Sequence, residues 1–315
     1  MTRHHRKIWA LHLGLIALLL ALNWLLPAYH HTNLARIMVL SVFAMGYNIA
    51  FGYTGLLSLG HALFFAAGMY AAGMAAQFLS APALAALITG SLAGGAMAAA
   101  VGVLALRTTG VSFMIVTLMF AQTGYLTILY FGAVTGGDEG IVILAQSRKL
   151  AGLDLSAEVP RYCIALALFA TALLGNLALV HAPFGRVMVA MRENEDRSRM
   201  LGYDPFRTKL IVMMISGLYA GTAGAAYGLM FGYVGASFAT IQYSILPMLW
   251  VLLGGAGLLL GPFIGVLVMF YLIDISSGYT TANQFVVGAA LLIVVLFAPR
   301  GILGAVRDRW LKWLP

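Results

Sequence analysis

Apolar residues run along this chain in long blocks separated by short polar or glycine-rich stretches. Ten blocks stand out: Ile8–Leu26, Leu34–Phe51, Ser58–Leu79, Pro82–Leu106, Val111–Phe131, Arg161–Val180, Leu210–Gly232, Tyr243–Leu260, Pro262–Tyr279 and Gln284–Ala298. A helix needs about 20 apolar residues to cross the hydrocarbon core of a bilayer. The pattern therefore predicts an all-α polytopic membrane protein with about ten transmembrane helices, in one domain over residues 1–315. The eighth and ninth blocks are split only by Gly261–Pro262 and the last is short, so the count falls to eight or nine if one block is re-entrant. Ile8–Leu26 is too long for a typical signal-peptide core and reads as the first span.

Composition agrees. Of 315 residues, 62% are hydrophobic and 9% charged, against about 45–50% and about 25% in a soluble domain. A water-soluble fold of this length could not cover its surface with so few charges, whereas a lipid-facing helix should be apolar. The 36 glycines suit helices that approach closely in a membrane. A net charge of +8 raises the question of nucleic acid, but the charged residues are too few to build a basic face. Cys163 is the single cysteine, so neither an intrachain disulfide nor a multi-cysteine metal site is available.

The positive charges follow a topology instead. Lys and Arg in short loops favour the cytoplasmic side. With ten spans and both termini inside, Arg3, Arg6 and Lys7 fall in the cytoplasm, as do Arg107 after the fourth span, Arg186, Arg192, Arg197, Arg199, Arg207 and Lys209 after the sixth, and Arg300, Arg307, Arg309 and Lys312 at the carboxy terminus. That places 14 of the 18 basic residues inside. Arg36, Arg148, Lys149 and Arg161 fall outside, and Arg36 reads as an interfacial side chain that snorkels.

Two loops exceed a tight turn, which in a compact fold marks a functional segment. Residues 132–160 form an external loop bearing Asp138, Glu139, Asp154 and Glu158; residues 181–209 form a cytoplasmic one. The cytoplasmic loop reads as an amphipathic helix of about four turns from Gly185. Val187, Met188, Met191, Met200 and Leu201 share an apolar side, and Glu193–Arg197 and Glu195–Arg199 form (i, i+4) pairs with the acid first. Gly202 suits the position just past a helix end, with Pro205 after it. Two readings stay open: a solvated linker, or a docking helix whose adaptable methionines seat in a partner's groove.

The segments 52–60 and 254–261 resemble each other, G-x-x-G-L-L-x-L-G against G-G-A-G-L-L-L-G. Paired glycine interruptions in the two halves of a transporter point to broken helices lining a pathway; close helix packing is the plainer reading. The pathway candidates are Gly52, Gly55, Ser58, Gly60, His61, Gly254, Gly257, Gly261 and Asp274. His61 is either a pathway residue or a polar contact in a helix interface. Asp274 is an acid within a predicted span, facing a cavity or a partner or lying near the outer surface, with Ser276 and Ser277 beside it to satisfy it. Gly136, Gly137, Asp138 and Glu139 form an outer turn, a candidate contact for a substrate-delivering protein or a plain polar turn.

These segments also carry a family resemblance. Arg192-Glu193-Asn194-Glu195, Leu201-Gly202-Tyr203-Asp204 and Lys209-Leu210 resemble the cytoplasmic loop of permeases in branched-chain amino-acid ABC importers, of the LivM type. Residues 52–61, 135–140, 253–262 and 297–301 resemble further signatures of that family, in the same order, from about residue 46 to 304. The loop departs from the alanine-richer versions expected, being more charged at Asp196, Arg197 and Arg199. The resemblance implies the ABC importer permease fold. It also implies that Arg192, Glu193, Asn194, Glu195, Arg199 and Gly202 belong to a helix that couples to a cytoplasmic ATPase. The partners it implies are two ABC ATPase subunits, a sister permease of the LivH type and a periplasmic substrate-binding protein, in the cell inner membrane. The substrates it implies are leucine, isoleucine and valine, with urea or short amides as the alternative.

No GxxxxGK[ST] phosphate loop, HExxH, clustered Cys/His set or GxSxG elbow occurs, so no enzyme chemistry, metal site or cofactor is expected on this chain. ATP would be used by partner subunits, and its energy would arrive mechanically through an inside contact. The expected function is translocation of a small polar substrate by alternating access. The rival is a secondary transporter or channel working alone; a purely structural anchor fits the glycine motifs poorly.

Overall fold

A computed structural model describes residues 3–150, 152–279 and 282–309. Lys312, one of the basic residues of the topology argument, lies outside them. Fourteen α-helices and four two-residue strands are present among the described residues: α1 (Arg3–Leu25), α2 (Ala28–Asn48), α3 (His61–Phe78), α4 (Ala83–Ala105), α5 (Gly110–Tyr130), α6 (Gly132–Thr135), β1 (Ile141–Val142), β2 (Lys149–Leu150), β3 (Leu153–Asp154), α7 (Glu158–His181), α8 (Pro183–Glu193), α9 (Glu195–Met200), α10 (Pro205–Phe231), β4 (Tyr233–Val234), α11 (Ile241–Gly254), α12 (Gly261–Ser277), α13 (Asn283–Phe297) and α14 (Gly301–Arg309).

Each of the ten apolar blocks falls on a helix. Six are long and apolar enough to cross a membrane: Lys7–Leu25, Ala28–Tyr53, Ala83–Ala105, Gly110–Tyr130, Glu158–His181 and Pro205–Phe231. The chain is therefore a mostly helical, polytopic membrane protein. Ile241–Gly254 and Gly261–Ser277 are shorter; Gly254 and Gly255 end the first where the apolar block continued to Leu260.

The core is organised around α2, which runs on as a π-helix over Ile49–Tyr53. Its face is buried from Leu34 to Asn48 with the exception of Arg36. Helices α3, α4 and α10 close on one another through glycine. A Cβ on Gly68 would lie 2.3 Å from the Gly221 carbonyl, and one on Gly94 would lie 2.5 Å from the Gly221 Cα. Lipid supplies no hydrophobic drive between helices, so such backbone approach is what binds them. α11 and α12 form a tight antiparallel hairpin on the same terms: a Cβ on Gly265 would lie 1.8 Å from the Trp250 carbonyl, and one on Gly254 equally close to that of Gly261.

The fold is not purely helical. β1 pairs antiparallel with β4, Ile141 opposite Val234, and β2 pairs with β3. Loop backbone held against the protein needs hydrogen-bond partners, and these short ladders supply them where the 132–160 segment crosses the end of α10.

Candidate functional site

The charged loop is two helices, not one. α8 ends at Glu193, and Asn194 adopts an extended conformation, φ −159° and ψ 106°. Its Oδ1 accepts the Arg197 amide at 2.9 Å, so it N-caps α9, the role asparagine favours at a helix start. α9 ends on the Gly202 N–H bonding to the Arg199 carbonyl at 3.0 Å and the Tyr203 N–H to the Ser198 carbonyl at 3.2 Å. That reversal needs a left-handed residue, and Gly202 supplies it with φ +90°. Asp204 then caps α10, its Oδ1 accepting from Phe206 and Arg207 at 2.9 and 3.2 Å.

The break at Asn194 corrects two expectations. The apolar side is split: Met188 and Met191 are buried at 0% and 4% exposure, while Met200 and Leu201 stand out at 88% and 70%. The (i, i+4) ion pairs do not form. Glu195 reaches Lys209 instead, at 2.5 Å, because the second helix turns its acid toward the start of α10.

α8 delivers Arg192 to the place where the two glycine-rich breaks meet. The Arg192 Nη1 donates to the Gly52 carbonyl. Gly52 and Gly257 lie backbone to backbone: a Cβ on Gly52 would come within 2.5 Å of the Gly257 nitrogen, and one on Gly257 within 3.2 Å of the Gly52 oxygen. Asn48 stitches them together, its Nδ2 donating to the Leu258 carbonyl at 3.0 Å and its Oδ1 accepting the Gly257 amide at 2.9 Å. Gly55 sits under the Arg192 side chain, 3.0 Å from its Cγ to an added Cβ. Gly254 and Gly261 close the α11–α12 turn beside them. A cavity of about 460 Å³ borders this junction, lined by Gly55, Leu57, Thr109, Arg192, Asn194 and Lys209 among others.

The remaining pathway candidates lie elsewhere. Residues 54–60 turn back into the bundle, where the Leu59 amide donates to Thr117 Oγ1 at 3.1 Å and Ser58 Oγ accepts the Gly60 amide at 3.2 Å. His61 is wholly buried at the start of α3. Ser216 gives its hydroxyl proton to the Gly46 carbonyl at 2.6 Å, so His61 Nε2 donates to Ser216 Oγ, at 2.7 Å. It thus joins α2, α3 and α10 as an interface contact. Asp274 is at the far end of the molecule, where the Tyr29 hydroxyl donates to its carboxylate. Ser276 and Ser277 do not serve it; they donate to the carbonyls of Ile273 and Asp274, as hydroxyls within a helix commonly do.

Gly136, Gly137, Asp138 and Glu139 lie at that same far end, in a turn before β1, with both acids exposed. Arg36 does not snorkel along lipid: it packs over the Phe231 ring at 4.8 Å. Asn48 went unnoticed in the sequence, although an amide inside an apolar block asks for a buried partner.

A family model described as branched-chain amino acid transport system / permease component matches residues 31–296. The high-affinity branched-chain amino acid transport system permease protein LivM of Escherichia coli (strain K12) is 26% identical over 323 residues, 94% of this chain and 76% of that one. LivM of Salmonella typhimurium is 26% identical over 295 residues, 86% of this chain and 69% of its own. The autoinducer 2 import system permease protein LsrC of Photorhabdus laumondii subsp. laumondii is 29% identical over 134 residues, 39% of each chain. No solved structure matches. The match spans both glycine breaks, the capped loop between α7 and α10 and most of the helical core, and by it the chain belongs to the branched-chain amino acid transport system permease family.

Proposed function

We propose that this chain is the membrane-spanning permease subunit of an ABC importer in the cell inner membrane. In this reading the polypeptide crosses ten times as one domain, with both termini and residues 181–209 in the cytoplasm and residues 132–160 outside. α8 and α9 dock on an ATPase, two of which serve the complex together with a sister permease, and a soluble binding protein delivers a small polar substrate. Nucleotide binding and hydrolysis on the ATPases shift α8 and α9, and the spans rock between outward and inward access.

The observation that carries the proposal is the Arg192–Gly52 hydrogen bond. A helix at the surface is tied through one guanidinium to the junction of both glycine breaks, so a displacement of α8 reaches two interrupted helices at once. Exposure of Met200 and Leu201 beside charged residues supports a partner surface on α9, since adaptable apolar side chains suit such contacts. The gathering of Arg192, Lys209, Arg300 and Arg307 at this end supports its cytoplasmic placement.

Leucine, isoleucine and valine are the proposed cargo, from the names of the LivM relatives. A second reading, a small polar cargo other than these, is favoured by the relatives named as autoinducer 2 import permeases; urea or a short amide is the alternative that the sequence resemblance implies. Reconstitution tests the class. With ATPases, sister permease and binding protein, radiolabelled leucine accumulates in vesicles only when ATP is present on the ATPase side. Uptake by the purified chain alone, driven by an ion gradient, would identify a secondary transporter instead.

A further inference from the structure

Three arginines meet at the end of the molecule opposite α8 and α9. Arg36 lies two turns into α2, Arg148 immediately before β2 and Arg161 in the first turn of α7. They converge on the last residues of α10. The Arg36 guanidinium carbon sits 4.8 Å from the centre of the Phe231 ring, and that of Arg161 sits 5.6 Å from the same ring. Arg148 lies against Gly232, where an added Cβ would come within 2.5 Å of its Nη1. Arg36 and Arg148 are both within electrostatic reach of Arg161.

The protein compensates this charge only in part: Glu158 acts on Arg161 and Asp154 on Arg148 through space, without an ion pair to either. The Nε of each of the three arginines is shielded from solvent and finds no acceptor in the chain. Arg161 donates to Thr32 Oγ1 at 3.0 Å, a neutral group. The ion pairs among the described residues all lie elsewhere. Nearby Asp154 is engaged by Ser156, whose hydroxyl and amide donate to it at 2.6 and 2.9 Å and hold its carboxyl below the ordinary range. Glu158, one turn before Arg161, is exposed. The carboxyl end of α10 contributes about half a negative charge, small beside three positive ones. Shielded donors without acceptors and like charges held together are costly, and the arrangement is the one that captures an anion by fork geometry.

We propose that Arg36, Arg148 and Arg161 form a receptor for an acidic side chain of the soluble protein that docks on this end. The inference rests on reading this end as the one that receives a substrate-delivering protein. A free amino acid fits less well, because its ammonium group would meet the same three positive charges. A lipid headgroup fits less well because Arg36 lies on α2, the most enclosed of the long spans, with 89% of its apolar window buried.

The test is binding of the cognate substrate-binding protein to the complete transporter in nanodiscs, measured across salt concentrations. Arg36→Gln, Arg148→Gln and Arg161→Gln are each expected to weaken binding about tenfold and to flatten its salt dependence, with the melting temperature of the complex as the control for folding. Lysine variants, which keep the charge and lose the fork, cover the case in which a glutamine variant fails to assemble; they are expected to bind more weakly than wild type. Wild-type affinity in the Arg148→Gln/Arg161→Gln double variant overturns the proposal. So does native mass spectrometry showing that the variants lose a phosphatidylglycerol and keep the binding protein. A wild-type transporter that binds no such protein, yet takes up substrate, sinks the importer reading along with the triad.

Discussion

Arg192 and Gly52, 140 residues apart, are joined by a hydrogen bond from guanidinium to main-chain carbonyl. One belongs to the surface loop between two spans and the other to the point where α2 gives way to irregular backbone. The bond ties the loop to the interrupted helices.

Arg192→Ala removes that link. A hydrogen bond from a charged donor is worth about 1.5–3 kcal/mol, reduced here because the side chain is largely exposed. ATP-dependent uptake by the reconstituted transporter should fall about tenfold, with the amount of folded permease unchanged. Arg192→Lys restores part of it. Full uptake in the alanine variant removes Arg192 from the coupling route.

Gly52→Ala is the steric counterpart. Its Cβ would lie 2.0 Å from Asn48 Oδ1 and 2.5 Å from the Gly257 nitrogen, so the breaks must separate. Overpacking of this kind costs about 1–3 kcal/mol, to be read as a lower melting temperature of the purified protein. Gly14→Ala is the control, since nothing lies within 4 Å of a Cβ there. Equal melting of the two variants would contradict the close contact.

Asn48→Ala strips the partners from the Gly257 amide and the Leu258 carbonyl. Leaving buried polar groups unpaired costs about 1–3 kcal/mol each. Hydrogen exchange at 255–260 should accelerate while exchange in α4 stays slow. Unchanged protection at Gly257 would show that the amide is held by something else.

Glu195 and Lys209 form the ion pair that fixes α9 against α10. Their side chains are 35% and 14% exposed, so a double-mutant cycle of Glu195→Gln and Lys209→Met should give a coupling of about 0.5–1 kcal/mol in unfolding free energy. A cycle of Glu195→Gln with Arg199→Gln should give none. A reversed outcome would restore the uninterrupted helix expected from the charge spacing.

The helices were legible because membrane spans are written in long apolar blocks, and Gly202 and Pro205 marked the end of the loop helix by their own conformational limits. Asn194 was legible only in part. Asparagine followed by two acids is a helix-start signal, but the (i, i+4) charge spacing runs straight through it, and the two patterns compete over the same residues. The likeness of 52–60 to 254–261 was visible as a repeated string, yet their contact through Asn48 depends on how α2 packs against the α11–α12 hairpin. Arg36 lies more than a hundred residues before Arg148 and Arg161, and the three belong to different parts of the fold. No local pattern predicts that Arg36 and Arg161 share the ring of Phe231 while Arg148 lies against Gly232.

The most direct measurement is ATP-driven leucine uptake, with ATP hydrolysis followed in parallel, by the reconstituted complex carrying Glu193→Ala, Asn194→Ala and Glu195→Ala together. The account predicts that the permease still inserts and the ATPases still turn over nucleotide, while uptake per ATP collapses. Uptake per ATP equal to wild type would mean that the force enters the membrane somewhere other than α8 and α9.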